Sequence, residues 1–243
     1  MKNRSRALNW RMSTHGLTLN NTSVLYHEFF RSHDYDWWYK VQPGDIVVDV
    51  GACVGFMSAK ALDLGAEKVY MIEGNRELLK TAIHNVSEYM MNETEQKIFP
   101  INCLMGTGNK RGVFKTDEDT VDIDDVDVMS FKEFVRKYNI DHIDFLKMDI
   151  EGNEYDTLNT DNLEFMKNNV RHIAVEVHTR TGDPNCFEKF IECRDTFLKP
   201  FHEAGKLKSM GNQPFVDKYI WDNDWMRTRP DANSYFMLYI TNY

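Results

Sequence analysis

The stretch Ile46–Glu73, IVVDVGACVGFMSAKALDLGAEKVYMIE, constrains the fold more than any other part of the chain. Ile46–Val50 is a short apolar run of mainly β-branched residues, which suits a strand buried on both faces of a parallel sheet. Gly51, Ala52 and Gly55 then let the backbone turn tightly and leave room beside it. The helix that follows, from Phe56 to about Leu64, opens with N–H groups toward that room. A second strand, Lys68–Ile72, ends on Glu73. Together these pieces form the βαβ unit of a nucleotide-type site, with an acid at the end of the second strand placed to accept hydrogen bonds from a ribose diol.

The glycine spacing narrows the ligand. A dinucleotide fingerprint needs G-x-G-x-x-G, but Cys53 stands at the middle glycine position and the pattern reads DxGxxxG. Asp49, just before the turn, would repel phosphates and suits a ligand carrying an ammonium and a sulfonium, namely S-adenosylmethionine. The alternative is a strand-turn-helix that binds nothing. Asp49, Gly51, Gly55 and Glu73 occurring together favour the cofactor.

With 243 residues, the chain has the length of one substantial α/β domain. A formal net charge of −9 argues against broad nucleic-acid binding, whose affinity comes largely from neutralising phosphates. Small polar substrates are favoured. No apolar run approaches a membrane span, and the N-terminal residues lack the apolar core of a secretory signal, so a cytoplasmic protein is expected. Cys53, Cys103, Cys186 and Cys193 show no CxxC spacing and read as reduced thiols.

Taken in order, residues 1–22 form a polar arm, and residues 23–42, with the aromatic segment YDWWY, form a cap over the cofactor site at the start of a single domain, 23–243. Trp37 and Trp38 could instead pack on the sheet edge. Asn75 caps a helix with Leu78, Leu79, Ala82, Ile83, Val86 and Met90 on one stripe. Lys97–Asn102 reads as an edge strand because it contains Pro100. The acidic interval before Asp127 fails as a calcium loop, since Val126 and Asp127 occupy positions that need a ligand and a glycine. Ser130 caps a short amphipathic helix.

Ile143–Met148 is a buried strand that emerges into Asp149-Ile150-Glu151-Gly152, with a helix expected from about Asn153. In an open α/β sheet ligands lie beyond the carboxyl ends of strands, so Asp149 points at the cofactor's reactive end. Arg171–Val177 brings Glu176, Val177 and His178 to the same rim. A helix spans Asn185 to about Leu198, a weak strand lies within Lys206–Phe215, and Ser234–Ile240 is the last strand. The segment between them is expected either to line a substrate opening or to form a surface loop anchored by Trp221 and Trp225.

The segments KVQPGDIVVDVGACVGFMSAKALDLGAEKVYMIEGN, FLKMDIEGNEYDTL and AVEVH, in this order, resemble the FkbM family of S-adenosylmethionine-dependent methyltransferases. The resemblance implies a Rossmann-like α/β fold of class I methyltransferase type: a seven-stranded, mostly parallel sheet with an antiparallel last strand and helices on both faces. It also implies O-methylation of a hydroxyl on a sugar or other small molecule, with residues 179–233 as the variable substrate-side region. Carried onto matching positions, Asp49, Gly51, Ala52, Cys53 and Gly55 belong to the cofactor turn. Glu73 and Gly74 follow the second strand, Asn102 and Cys103 the third, and Asp149, Glu151, Glu154 and His178 lie in the later motifs. Cys53 replaces a common Asn, and Gly74 a frequent Pro.

Methyl transfer to a hydroxyl needs the acceptor oxygen held in line and its proton removed. Asp149 is the first candidate base, or a ligand of a divalent ion that acidifies the hydroxyl; Glu151, Glu176 and His178 are the others. The rivals are a methyltransferase acting on protein or nucleic acid, and a silent binding protein of the same fold.

Overall fold

The structure is a computed structural model that describes residues 13, 19–90, 96–107, 112–115, 120–123, 126–179, 184–210, 213–228 and 235–242. Helix α1 (Leu19–His27) runs into a wider turn at Glu28–Ser32, after which the chain crosses one sheet face to β1 (Ile46–Val50). There follow α2 (Phe56–Asp63), β2 (Lys68–Ile72), α3 (Arg76–Met90) and β3 (Ile98–Ile101). Short strands β4 (Leu104–Met105), β5 (Gly112–Lys115), β6 (Thr120–Ile123) and β7 (Val128–Met129) lead to α4 (Phe131–Lys137) and β8 (Ile143–Met148). Then come α5 (Thr160–Asn169), β9 (Val170–His178), α6 (Cys186–Cys193), α7 (Lys199–Glu203) and β10 (Leu207–Ser209). The described chain closes with α8 (Gln213–Asp217), α9 (Asn223–Thr228) and β11 (Tyr235–Thr241).

The main sheet has seven strands in the order β10-β11-β9-β8-β1-β2-β3. β1, β2, β3, β8 and β9 are mutually parallel, while β11 runs antiparallel to both β9 and β10. This is the expected Rossmann-like methyltransferase sheet with one reversed strand. Pro100 lies in β3 at the sheet edge, where its missing N–H costs no ladder bond.

Alternation along the strands divides the core into two layers. Val48, Val50, Leu146, Met148, Ile173 and Val175 face a large cluster with Phe131, Phe134, Phe190 and Phe197. Val47, Val69, Phe145 and Ala174 face a second cluster built from α2, α3 and the N-terminal segment, including Phe29 and Tyr35. Local signals set the helix starts. Asn75 Oδ1 accepts from the N–H groups of Glu77 and Leu78, and Ser130 with Glu133 forms a reciprocal capping box, worth about 1 kcal/mol by analogy with other caps.

Several expectations need correction. No α-helix starts at Asn153: the chain makes a single 3-10 turn, Glu154–Asp156, and α5 begins only at Thr160, capped by Asn159. The side chain that could have begun a helix there is withdrawn, because Glu154 Oε1 bonds back to the N–H groups of Ile150 and Gly152. Within Lys206–Phe215 the strand is only Leu207–Ser209, and Phe215 belongs to α8. The Trp37 ring lies 5.6 Å from that of Tyr239 in β11, and Trp38 lies 5.5 Å from Trp37. Trp221 and Trp225 pack against the larger core, and the buried Arg194 guanidinium lies over Trp221 and donates to the Ile220 carbonyl. Ser234 and parts of the acidic interval and of 179–233 lie outside the described residues, as do most of residues 1–18. Among the described residues no helix is long and apolar enough to cross a membrane.

Candidate active site

The glycine turn is locked onto the end of β2. Gly51 and Ala52 both donate to the Ile72 carbonyl, at 3.0 and 2.9 Å, and Cys53 donates its N–H to Glu73 Oε2 at 2.8 Å. Cys53 takes a left-handed backbone, φ +52°, to do so. The first three N–H groups of the turn are thus spent internally, which leaves no row of donors for a pyrophosphate. Gly51 sits at φ +75° directly against the Asp149 backbone, where a Cβ would lie 1.7 Å from the carbonyl oxygen.

Glu73 is a clamp. Its second oxygen accepts the Asn75 N–H at 2.7 Å, so each carboxylate oxygen holds one backbone donor and keeps lone pairs for another. Burial pushes its carboxyl above the usual 4.5, against the lowering effect of these two bonds. Asn102 at the end of β3 uses its amide to hold the carbonyls of Glu73 and Gly74, both at 2.9 Å. Its Oδ1 is 3.4 Å from Arg76 Nε. Gly74 is packed tightly, with a Cβ there falling 2.3 Å from Leu104 Cδ2. Burial pushes the Cys53 thiol up to about 12 and the Cys103 thiol to about 11, so both remain protonated thiols at neutral pH.

Asp49 is fully buried and faces a partner the sequence reading missed. β1 and β8 are in register at Asp49 and Lys147, and the Lys147 ammonium lies 3.5 Å from Asp49 Oδ1 while Ser58 donates to Oδ2 at 2.7 Å. The same ammonium donates to the carbonyls of Gly51 at 2.5 Å and Val50 at 3.3 Å. Burial alone would lower the Lys147 pKa, but Asp49 and Asp149 outweigh it and hold it above 10.5. The ammonium that Asp49 meets is the protein's own.

Beyond the ends of β8 and β9 the expected rim residues come together. Tyr35, from the N-terminal segment, places its hydroxyl 2.8 Å from Asp149 Oδ2 and 2.7 Å from Glu176 Oε2. Asp149 is partly open, with 21% of its side chain exposed, and lies 3.9 Å from Lys147. Burial and the Asp149 charge push the Glu176 carboxyl well above 4.5, against the lowering effect of the Tyr35 hydrogen bond and the His178 charge. His178 Nδ1 is 2.8 Å from Glu154 Oε1, and Nε2 lies 3.4 Å from Glu151 and 3.6 Å from Glu176. Burial would lower this imidazole, but the Glu154 hydrogen bond and the surrounding carboxylates raise it to about 10. Asp149, Glu151 and His178 each offer a ligand atom within 4.8 Å of the others, the one grouping among the described residues able to hold a metal ion. Glu28 also approaches this rim. Burial and nearby acids, Asp149 first, raise it to about 7.

Tyr35, Glu28 and Lys147 were missing from the sequence-based site. Lys147 had a readable signal, a lysine inside a strand otherwise apolar enough to be buried. Glu28 and Tyr35 had none.

The family model described as the methyltransferase FkbM domain matches residues 49–208. A search of curated proteins found no significant match. Among solved structures, a methyltransferase FkbM from Methylobacillus flagellatus is 20% identical with a TM-score of 0.47, over 88% of this chain and 47% of that one. The present chain therefore spans about half the length of that relative. Aeropyrum pernix fibrillarin, in complex with natively bound S-adenosyl-L-methionine, is 14% identical with a TM-score of 0.43, over 85% of this chain and 71% of that one.

Proposed function

Because this chain belongs to the FkbM methyltransferase domain family, we propose that it transfers a methyl group from S-adenosylmethionine to a hydroxyl of a sugar or other small molecule. The observation that carries this reading is the pairing of the locked glycine turn and Glu73 clamp with a partly open Asp149 on the adjoining strand end. The donor set fits the cofactor. Glu73 retains lone pairs for a ribose diol, and Asp149 and Glu151, with Glu28 half ionised near pH 7, supply negative charge without a phosphate seat. When bound, S-adenosylmethionine supplies a methyl carbon made electrophilic by the sulfonium. Gly51, Ala52, Cys53, Gly55, Gly74, Asn102 and Cys103 shape the walls, and Asn102 and Gly74 act by fixing where Glu73 ends. Asp49 acts indirectly, by anchoring Lys147 beneath the turn.

Proton states sort the candidate bases. His178 holds its proton below about pH 10, and Glu176 is buried, disfavoured in its charged form and tied to the Tyr35 hydroxyl. Glu151 is exposed on a left-handed turn, φ +54°. Asp149 is the carboxylate that combines partial access with fixed partners, and we assign it the general base. A small neutral acceptor is consistent with the net charge of −9.

Calorimetric titration with S-adenosylmethionine and S-adenosylhomocysteine, with NAD as control and EDTA or magnesium in parallel, tests the cofactor. Binding of the first two alone supports the reading, and a screen of sugars with methyl-labelled cofactor then finds the acceptor. Binding is expected to weaken in Glu73→Ala. In Asp149→Ala it should persist while turnover is lost. An Asp149→Ala protein that methylates normally removes the base assignment.

A further inference from the structure

The two short contacts of Tyr35 set a proton count. A phenol carries one proton and donates one hydrogen bond, yet its oxygen lies 2.8 Å from one carboxylate and 2.7 Å from the other. One phenol proton cannot lie along both O···O lines, so two contacts of this length call for a second proton on one of the carboxyls. Glu176 is the more deeply buried, and Asp149 lies nearer the Lys147 ammonium that favours its charged form.

We propose that Glu176, Tyr35 and Asp149 form a directed chain in which a protonated Glu176 donates to Tyr35 and Tyr35 donates to Asp149, making Tyr35 a positioning residue for the catalytic carboxylate. The catalytic part rests on the reading of Asp149 as base. One oxygen of Asp149 is then tied by Tyr35, so the carboxylate plane is set and its other oxygen is the one available to an acceptor hydroxyl. The chain also makes the N-terminal segment part of the active site, since Tyr35 comes from outside the residues that the family model matches. Its burial at 1% exposure and its stacking on Phe29 at 4.9 Å fix the ring, and Lys147 lies 5.2 Å from the ring centre. The charged and titratable groups facing the chain include Glu28 on the N-terminal side, Lys147 from β8, His178 from β9, and Tyr235 and Tyr239 from β11.

Infrared difference spectroscopy of the apo-protein tests the proton without cofactor or acceptor. At pH 8 the wild type is expected to show a protonated-carboxyl C=O band that is absent from Glu176→Gln, and Tyr35→Phe should shift that band as Glu176 loses its acceptor. Identical wild-type and Glu176→Gln spectra in this region overturn the proposal, and they do so whether or not Tyr35→Phe folds. The catalytic part is read with S-adenosylmethionine and the first sugar that turns over. Loss of the Tyr35 donor disfavours the Asp149 anion, so the acidic limb of kcat/KM in Tyr35→Phe moves to higher pH by ~1 unit and kcat falls ~10-fold, with KM for the cofactor unchanged. Glu176→Gln should recover most of what Glu176→Ala loses. An unmoved limb and unchanged kcat in Tyr35→Phe refute the positioning role. A wild type that binds no S-adenosylmethionine refutes the methyltransferase reading, and the infrared result then decides the proton chain by itself.

Discussion

Replacing Gly51 with alanine probes the junction on which the site is built. At φ +75° the new Cβ would lie 1.7 Å from the Asp149 carbonyl oxygen and 3.2 Å from Ile150 Cγ2, whereas ordinary contact starts at 3.4 Å. The ends of β1 and β8 must therefore part by about 1.7 Å, the difference between those distances. Asp149 N–H now reaches Val50 O at 3.1 Å, and Lys147 reaches Gly51 O at 2.5 Å; neither bond survives such a movement. Left-handed strain costs about 1–2 kcal/mol, the neutral bond about 1 and the charged bond about 2, so the sum is roughly 4–5 kcal/mol. For a chain of this size that lowers the melting temperature by about 10–20 °C. Gly44 provides the control, because at φ +93° it has nothing within 4 Å of its would-be Cβ. Gly44→Ala should lose only the strain, about 1–2 kcal/mol. Thermal and urea unfolding followed by circular dichroism compare the two. Equal losses in both variants would refute the claim that contact with the β8 terminus makes glycine necessary at position 51.

Three further outcomes follow from the titrating groups. Glu28, raised from 4.5 to about 7, favours the folded state fully below pH 4.5 and progressively less as pH rises through 7. Glu28→Gln should therefore be neutral near pH 4 and stabilising at pH 8 by about 1–2 kcal/mol, a figure reduced for the group's partial exposure; urea midpoints at the two pH values check it. His178, raised from 6.5 to about 10, contributes stability that is complete below pH 6.5 and lost as pH rises through 10. Wild-type stability should fall by about 3 kcal/mol over that window, and His178→Asn should lack the fall in the same denaturation series. With their thiols held near 12 and 11, Cys53 and Cys103 should resist iodoacetamide at pH 8 until denaturant is added, as mass spectrometry of the labelled protein would show.

The sheet was legible because its signals are local. Ile46–Val50, Lys68–Ile72 and Ile143–Met148 occupy the ranges read from their apolar runs, and Pro100 correctly marked the edge. The misreadings arose where a side chain left its local role for a distant one. Glu154 looks like the first turn of a helix, but its carboxylate is engaged by His178, a partner 24 residues away. Phe215 belongs to an apolar run that suits a strand, yet it packs within 4.9 Å of the Phe236 ring as part of a helix. Tyr35 was read only within an aromatic cluster, since nothing in YDWWY distinguishes the one ring that meets carboxylates 114 and 141 residues downstream. Lys147 could have been found. Strand alternation puts Asp49, Lys147 and Glu176 on one sheet face, and a buried charge requires a counter-charge.

The charges at the strand ends also explain why the glycine turn serves this cofactor class and not a dinucleotide. Lys147 offsets Asp49, His178 offsets Glu154, and burial disfavours the charged form of Glu176. Asp149, Glu151 and Glu28 remain, and burial first, then repulsion from Asp149, raises Glu28 to about 7. At an effective dielectric near 20, a unit charge about 5 Å from another contributes roughly 3 kcal/mol, so a phosphate placed here would be opposed by several such terms. A sulfonium or an α-ammonium would be favoured by the same terms, and it would relieve the repulsion that Glu28 experiences. In the proposed reaction, the rim's residual negative charge does for the cofactor what a glycine-rich N–H cradle does for a pyrophosphate, which is why the turn can spend its own N–H groups on Ile72 and Glu73.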